Sequence, residues 1–263
     1  MSVHAPRQRA DADRSPLAQV APQLWRNLPL LVGTGLLAML GGLLTLGAVL
    51  SGGGIVLAPA LAALTIAPAW FAACALADPL LDGRVVSAAQ IRDAFLAGFR
   101  TAPRVALPAL EPAQLAAFAV LAIDATPDGA PLLTLSLAAD LIALGCALIV
   151  APFALATAAG AFGSRADAPL GAGEGSAIVL PVASVRDAWR IGAGVAATLP
   201  LLALGGIAVV ALAVVLVRAL GPVLLVVVPG PAALVVVACG REQLARVAAT
   251  SPAAARTTRG ATR

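Results

Sequence analysis

Two carboxylic acids stand inside long apolar stretches: Glu111, set between Pro108 and Pro112, and Asp140. An ionisable group in hydrocarbon is costly and by default points to function, so the pair is a candidate intramembrane polar site. At about 1.5 Å per residue, Glu111 lies about 10 Å from Arg104 and Asp140 about 14 Å from Pro131, which places both near the middle depth of neighbouring antiparallel helices. Brought together, burial and mutual repulsion would raise at least one pKa and permit proton binding. The plainer reading is that each acid is protonated or hydrogen-bonded, with Thr134, Ser136 or Gln114 as partners, and holds helices together. No intramembrane Arg or His completes a relay, which favours the plainer reading.

Other reactive residue types fall in patterns without chemistry. Cys74, Cys146 and Cys239 each occupy a different apolar run, with no paired spacing and no His beside them, so no metal site or cofactor is expected. The single His, His4, precedes the apolar part of the chain and leaves no Ser/His/Asp constellation. Ser51-Gly52-Gly53-Gly54 resembles a phosphate loop only superficially, because such a loop ends in Gly-Lys-Ser/Thr and the chain has no Lys. All 17 basic residues are therefore Arg, and they sit in short segments between apolar runs rather than on one face with stacking aromatics. That distribution speaks against nucleic acid as a partner and for the lipid bilayer. The chain is expected to be no enzyme.

The elements that must position Glu111 and Asp140 follow from composition and run length. Of 263 residues, 60% are hydrophobic and 11% charged, too few charges to cover a water-facing surface. The predicted fold class is an all-α polytopic membrane bundle of six transmembrane helices, with spans at about 28–50, 55–77, 105–123, 131–162, 191–217 and 219–239. A membrane domain over 24–247 lies between a disordered tail at 1–23 and a basic tail at 248–263. Pro59, Pro108, Pro112 and Pro152 are the positions where these helices should bend. Between spans, Ser87 to Arg100 reads as a short amphipathic helix with a Ser87/Gln90 capping box. It either lies in the inner headgroup plane or packs on the helix ends as a connector. Trp25 and Trp189 fall where interfacial anchors belong.

Sixteen of the seventeen Arg lie on the side of the two termini, and only Arg218 lies on the other. By the positive-inside rule, both termini are cytoplasmic and the protein is multi-pass in the bacterial plasma (inner) membrane. One segment recurs. Ile91-Arg92-Asp93-Ala94-Phe95 returns as Val185-Arg186-Asp187-Ala188-Trp189, with Gly98 matched by Gly192 at the same offset, and each copy leads into an outward-going helix. This reads as a repeated unit of cytoplasmic entry helix plus helical hairpin, with chance similarity in an Ala-rich chain as the alternative. Ala58 to Leu64 against Val228 to Leu234 adds weaker support. Arg92, Asp93, Phe95, Phe99, Arg186, Asp187 and Trp189 form a candidate cytoplasmic interface.

At Pro59-Ala60-Leu61-Ala62-Ala63-Leu64, followed by Asp93-Ala94-Phe95 and Phe99-Arg100, the chain resembles the YesL-like family of bacterial integral membrane proteins. The resemblance extends over most of Leu24 to about Val247. Leu61 departs from the Thr the family prefers, and Ile149-Val150-Ala151-Pro152 lacks the family's aromatics. The family has no established biochemical activity. Its members' frequent place beside carbohydrate uptake systems of the ATP-binding-cassette (ABC) type implies an accessory or scaffold role, with importer subunits or a second copy as partner. The alternative is a small solute or proton-coupled transporter that uses Glu111 and Asp140.

Overall fold

In a computed structural model of the chain, residues 16–51, 54, 57–125, 130–160, 184–198, 226 and 228–250 are described. These form seven helices and, among the described residues, no strand. They are α1 (Pro16–Arg26), α2 (Leu28–Leu50), α3 (Ala58–Leu81), α4 (Ala88–Ala125), α5 (Ala130–Ala158), α6 (Val185–Thr198) and α7 (Pro229–Thr250). Four stretches are long and apolar enough to cross a membrane: Leu28–Ala48, Ala58–Leu81, Ala88–Ile123 and Pro131–Ala158. They match the first four expected spans. Of the fifth and sixth, only 191–198 and 226–239, without 227, lie among the described residues, and the rest falls outside them.

Helix α1 departs from the expected tail. Val20 and Leu24 are one turn apart and pack on the bundle core, Gln23 is buried between them, and Trp25 and Arg26 face outward. The apolar pattern is short and carries an internal Pro22, so the packing of α1 against α7 and α3 stabilises a helix that periodicity alone would not. Asn27 closes it by donating from Nδ2 to the Gln23 carbonyl at 3.1 Å and to Gln23 Oε1 at 3.2 Å.

Helix α3 is the hub, packing on α1, α2, α4, α5 and α7. Pro59, expected as a bend, stands in its first turn instead, where a missing N–H is no loss. Its other end closes in a Schellman motif: the Gly83 N–H donates to the Leu80 carbonyl and the Arg84 N–H to the Pro79 carbonyl, with Gly83 at φ +70°.

Helix α4 is one continuous helix of 38 residues, not a separate amphipathic helix followed by a span. Its Ser87/Gln90 cap forms as expected: the Ser87 N–H donates to Gln90 Oε1 at 2.8 Å, and the Gln90 N–H to Ser87 Oγ at 3.3 Å. The helix runs through Pro103, Pro108 and Pro112, and α5 runs through Pro152. At about 57 Å, α4 is nearly twice the hydrocarbon thickness, so part of it must tilt or project beyond a bilayer.

The two entry segments are seated alike. A Cβ on Gly98 would come within 2.8 Å of the Pro68 carbonyl oxygen on α3, and one on Gly192 within 2.7 Å of the Ala154 nitrogen on α5. Each contact lies at, or two residues past, an Ala-Pro step of the preceding helix, Ala67-Pro68 and Ala151-Pro152. Both glycines therefore permit a close backbone approach to the preceding helix near an Ala-Pro step. The core sits at this end, where Phe71, Cys74, Leu80, Leu81, Val105, Leu234 and Val237 are fully enclosed. Its hydroxyls are satisfied locally, Thr157 donating to the Phe153 carbonyl and Thr34 to that of Leu31.

Candidate functional site

The antiparallel α4–α5 hairpin does bring Glu111 and Asp140 to similar depth. Glu111 lies fourteen residues before the end of α4, and Asp140 ten residues after the start of α5. The two are thus offset by about 6 Å along the hairpin. No contact joins them, however. Glu111 is exposed and lines an open recess of about 420 Å³ with Leu107, Pro108, Leu110 and Gln114. Asp140 is half-buried and accepts a long hydrogen bond, 3.5 Å, from Ser136 Oγ one turn earlier. Thr134 donates to the Pro131 carbonyl. Each acid thus has its own local polar company on its own helix.

The candidate cytoplasmic interface divides in two. Arg92 and Asp93 are exposed and bridge each other, the guanidinium Nε and Nη2 both 3.1 Å from Asp93 Oδ1. Phe99 and Arg186 are also exposed. Phe95 instead packs beside Ala72, Leu76 and Ala94. Trp189 turns inward, its Nε1–H donating to the Val105 carbonyl at 2.7 Å. That acceptor lies one residue beyond Arg104, whose own carbonyl loses its helical donor because Pro108 has no N–H. Asp187 serves the second cap, accepting from Ser184 Oγ at 2.7 Å while its backbone N–H returns a bond to that oxygen, and it also faces Arg190 at 3.7 Å. Trp70, placed inside the bundle, donates from Nε1 to the Pro152 carbonyl at 3.3 Å. Both tryptophans therefore tie helices together through backbone carbonyls near prolines.

One cluster escaped the sequence. Asp78 and Asp82, four residues apart at the C-terminal end of α3, both receive Arg241 of α7. Nη1 donates to Asp82 Oδ1 at 2.9 Å, and Nη2 donates to Asp78 Oδ1 and to the Asp78 carbonyl, the latter at 3.2 Å. All three side chains are only about a quarter exposed. Burial alone would lower the guanidinium pKa, but the two carboxylates more than offset it and hold Arg241 above its ordinary value. Two acids at a helix C-terminus oppose the helix dipole, so this cation removes an unfavourable pair of charges as well as joining α7 to α3. The i,i+4 aspartates and an Arg directly after an apolar run were the available signal. Their separation of about 160 residues hid the pairing.

Among the described residues, no group of three or more His, Cys, Asp or Glu could hold a metal ion. No protein family, curated protein or solved structure gives a match to this chain.

Proposed function

We propose that the chain is a non-enzymatic accessory or scaffold protein of the bacterial inner membrane, with six spans and both termini cytoplasmic. Its partner is another membrane assembly, an ABC-type sugar importer by the YesL-like resemblance. The observation that carries this reading is the seating of the two entry segments. Small residues, Ala94 and Gly98 on one and Ala188 and Gly192 on the other, face the bundle, which leaves Arg92, Asp93, Phe99 and Arg186 turned outward. A charged and aromatic surface offered by packed helices suits binding a protein.

The test is quantitative mass spectrometry of what co-purifies with the tagged protein from native membranes in mild detergent, against an unrelated six-span control. A near-stoichiometric importer subunit, lost on combining Arg92→Glu with Phe99→Ser, is the expected result. A partner-free protein would overturn the reading.

A second reading has one observation in its favour, the recess that Glu111 and Gln114 share. In a proton-coupled carrier, Glu111→Gln and Asp140→Asn would each abolish flux in a reconstituted vesicle while the protein still folds. For a scaffold, both substitutions leave partner binding intact.

A further inference from the structure

Arg100 and Arg104 are one turn apart on the exposed face of α4 and, among the described residues, make no ion pair or hydrogen bond. On the same face the next turns bring Leu107, 58% exposed, then the exposed carboxylate Glu111, and then Leu115, Phe118 and Leu121, all exposed. Apart from Glu111, the stripe thus passes from cationic to apolar between Arg104 and Leu107, inside the segment long and apolar enough to cross a membrane. Guanidinium groups bordering hydrocarbon are costly without a counter-ion. Glu111, seven residues and about 10 Å further along, is too far to serve.

From this we infer that Arg100 and Arg104 bind the phosphate of an anionic phospholipid, whose acyl chain runs over Leu107 along the apolar wall, Pro108 and Leu110, of the recess that Glu111 and Gln114 also line. Two arginines whose Cβ atoms stand about 6 Å apart present forked donors that match phosphate oxygens, and long Arg side chains reach from an apolar helix face toward the headgroup level. A second copy of the chain does not fit this face. Two copies inserted in the same direction and related by a two-fold axis would set Arg100 and Arg104 against the same arginines. An anionic lipid supplies the opposite charge and the apolar chain together, and the proposal does not depend on the scaffold reading.

The test uses the full-length protein in mild detergent, with thermal unfolding followed on addition of phosphatidylglycerol or of phosphatidylcholine with the same acyl chains. Phosphatidylglycerol is expected to raise Tm by roughly 4 °C or more over phosphatidylcholine. Arg100→Gln combined with Arg104→Gln should remove most of that difference, while Arg26→Gln, on an exposed position of α1, should keep it. Native mass spectrometry of the unaltered protein with an equimolar mixture should retain phosphatidylglycerol preferentially, a readout independent of any variant's folding. Equal effects of the two lipids, or a full difference in the double variant, would refute the assignment. So would inorganic phosphate reproducing the shift, which would mean a bare anion site, or poly-glutamate doing so where phosphatidylglycerol does not, which would mean an acidic protein partner.

Discussion

Arg241 illustrates how one side chain can decide whether a helix junction is stable. Without it, Asp78 and Asp82 would be left as two partly buried carboxylates at the negative end of the α3 dipole. Arg241→Gln is therefore expected to cost about 2 kcal/mol, read as a lowered unfolding midpoint in detergent. Arg241→Lys should fall between, because an ammonium keeps the charge but cannot fork to both acids. Since the folded guanidinium lies above its ordinary value, its contribution is fully present below that ordinary value and is lost only as pH rises past the folded one. No loss through deprotonation of Arg241 should be seen on the neutral or mildly alkaline side. At Trp189 the expected change is smaller: Trp189→Phe removes the Nε1–H bond to the Val105 carbonyl and should cost about 1 kcal/mol by the same measurement. Neither role was visible in the sequence, where Trp189 read as an anchor facing lipid or a partner and Arg241 had no partner assigned. A side chain's direction depends on which helix packs beside it, and local periodicity does not report that.

Elements were more legible where the signal is local. The Ser87/Gln90 cap needs only residues three apart, and both of its bonds form. The apolar runs that became α2, α3 and α5 needed only their length. What failed was the division of α4, because Pro103 and the charges between Arg92 and Arg104 suggest a break where the backbone continues as one helix. Packing of Ala94 and Gly98 on α3 holds that stretch in line with the span that follows. The glycines make this testable in α6 and α4 together. Gly192→Ala and Gly98→Ala would each force a Cβ within 3 Å of a neighbouring backbone atom and should destabilise by about 1–3 kcal/mol. Gly194→Ala, two residues from Gly192 with nothing within 4 Å of its Cβ, should be neutral or slightly stabilising through helix propensity. Equal tolerance at Gly98, Gly192 and Gly194, by thermal unfolding of the full chain, would refute the close seating of the two entry segments.

At the scale of the whole molecule, the question is how often the chain crosses the bilayer. Four spans return the chain to its starting side after α5, and six do the same after α7, so the location of the termini cannot distinguish them. Arg218 can. It is the single Arg that the six-span reading puts outside, against sixteen inside, and a four-span chain would place it inside with the others. The prediction is read with single cysteines and a membrane-impermeant maleimide on intact cells, in a background where Cys74, Cys146 and Cys239 are replaced by Ala. Cys146 must be included because its side chain is exposed, whereas Cys74 and Cys239 are buried. Gly129→Cys, in the sequence between α4 and α5, should label from outside under either count and fixes the scale. Gly173→Cys, in the Gly-rich segment before α6, should label only after permeabilisation. Gly221→Cys decides: labelling on intact cells means six crossings and cytoplasmic entry segments at both Arg92 and Arg186. Labelling only after permeabilisation means that α6 and α7 belong to a cytoplasmic layer, clamped to the membrane bundle by Arg241 at the end of α3.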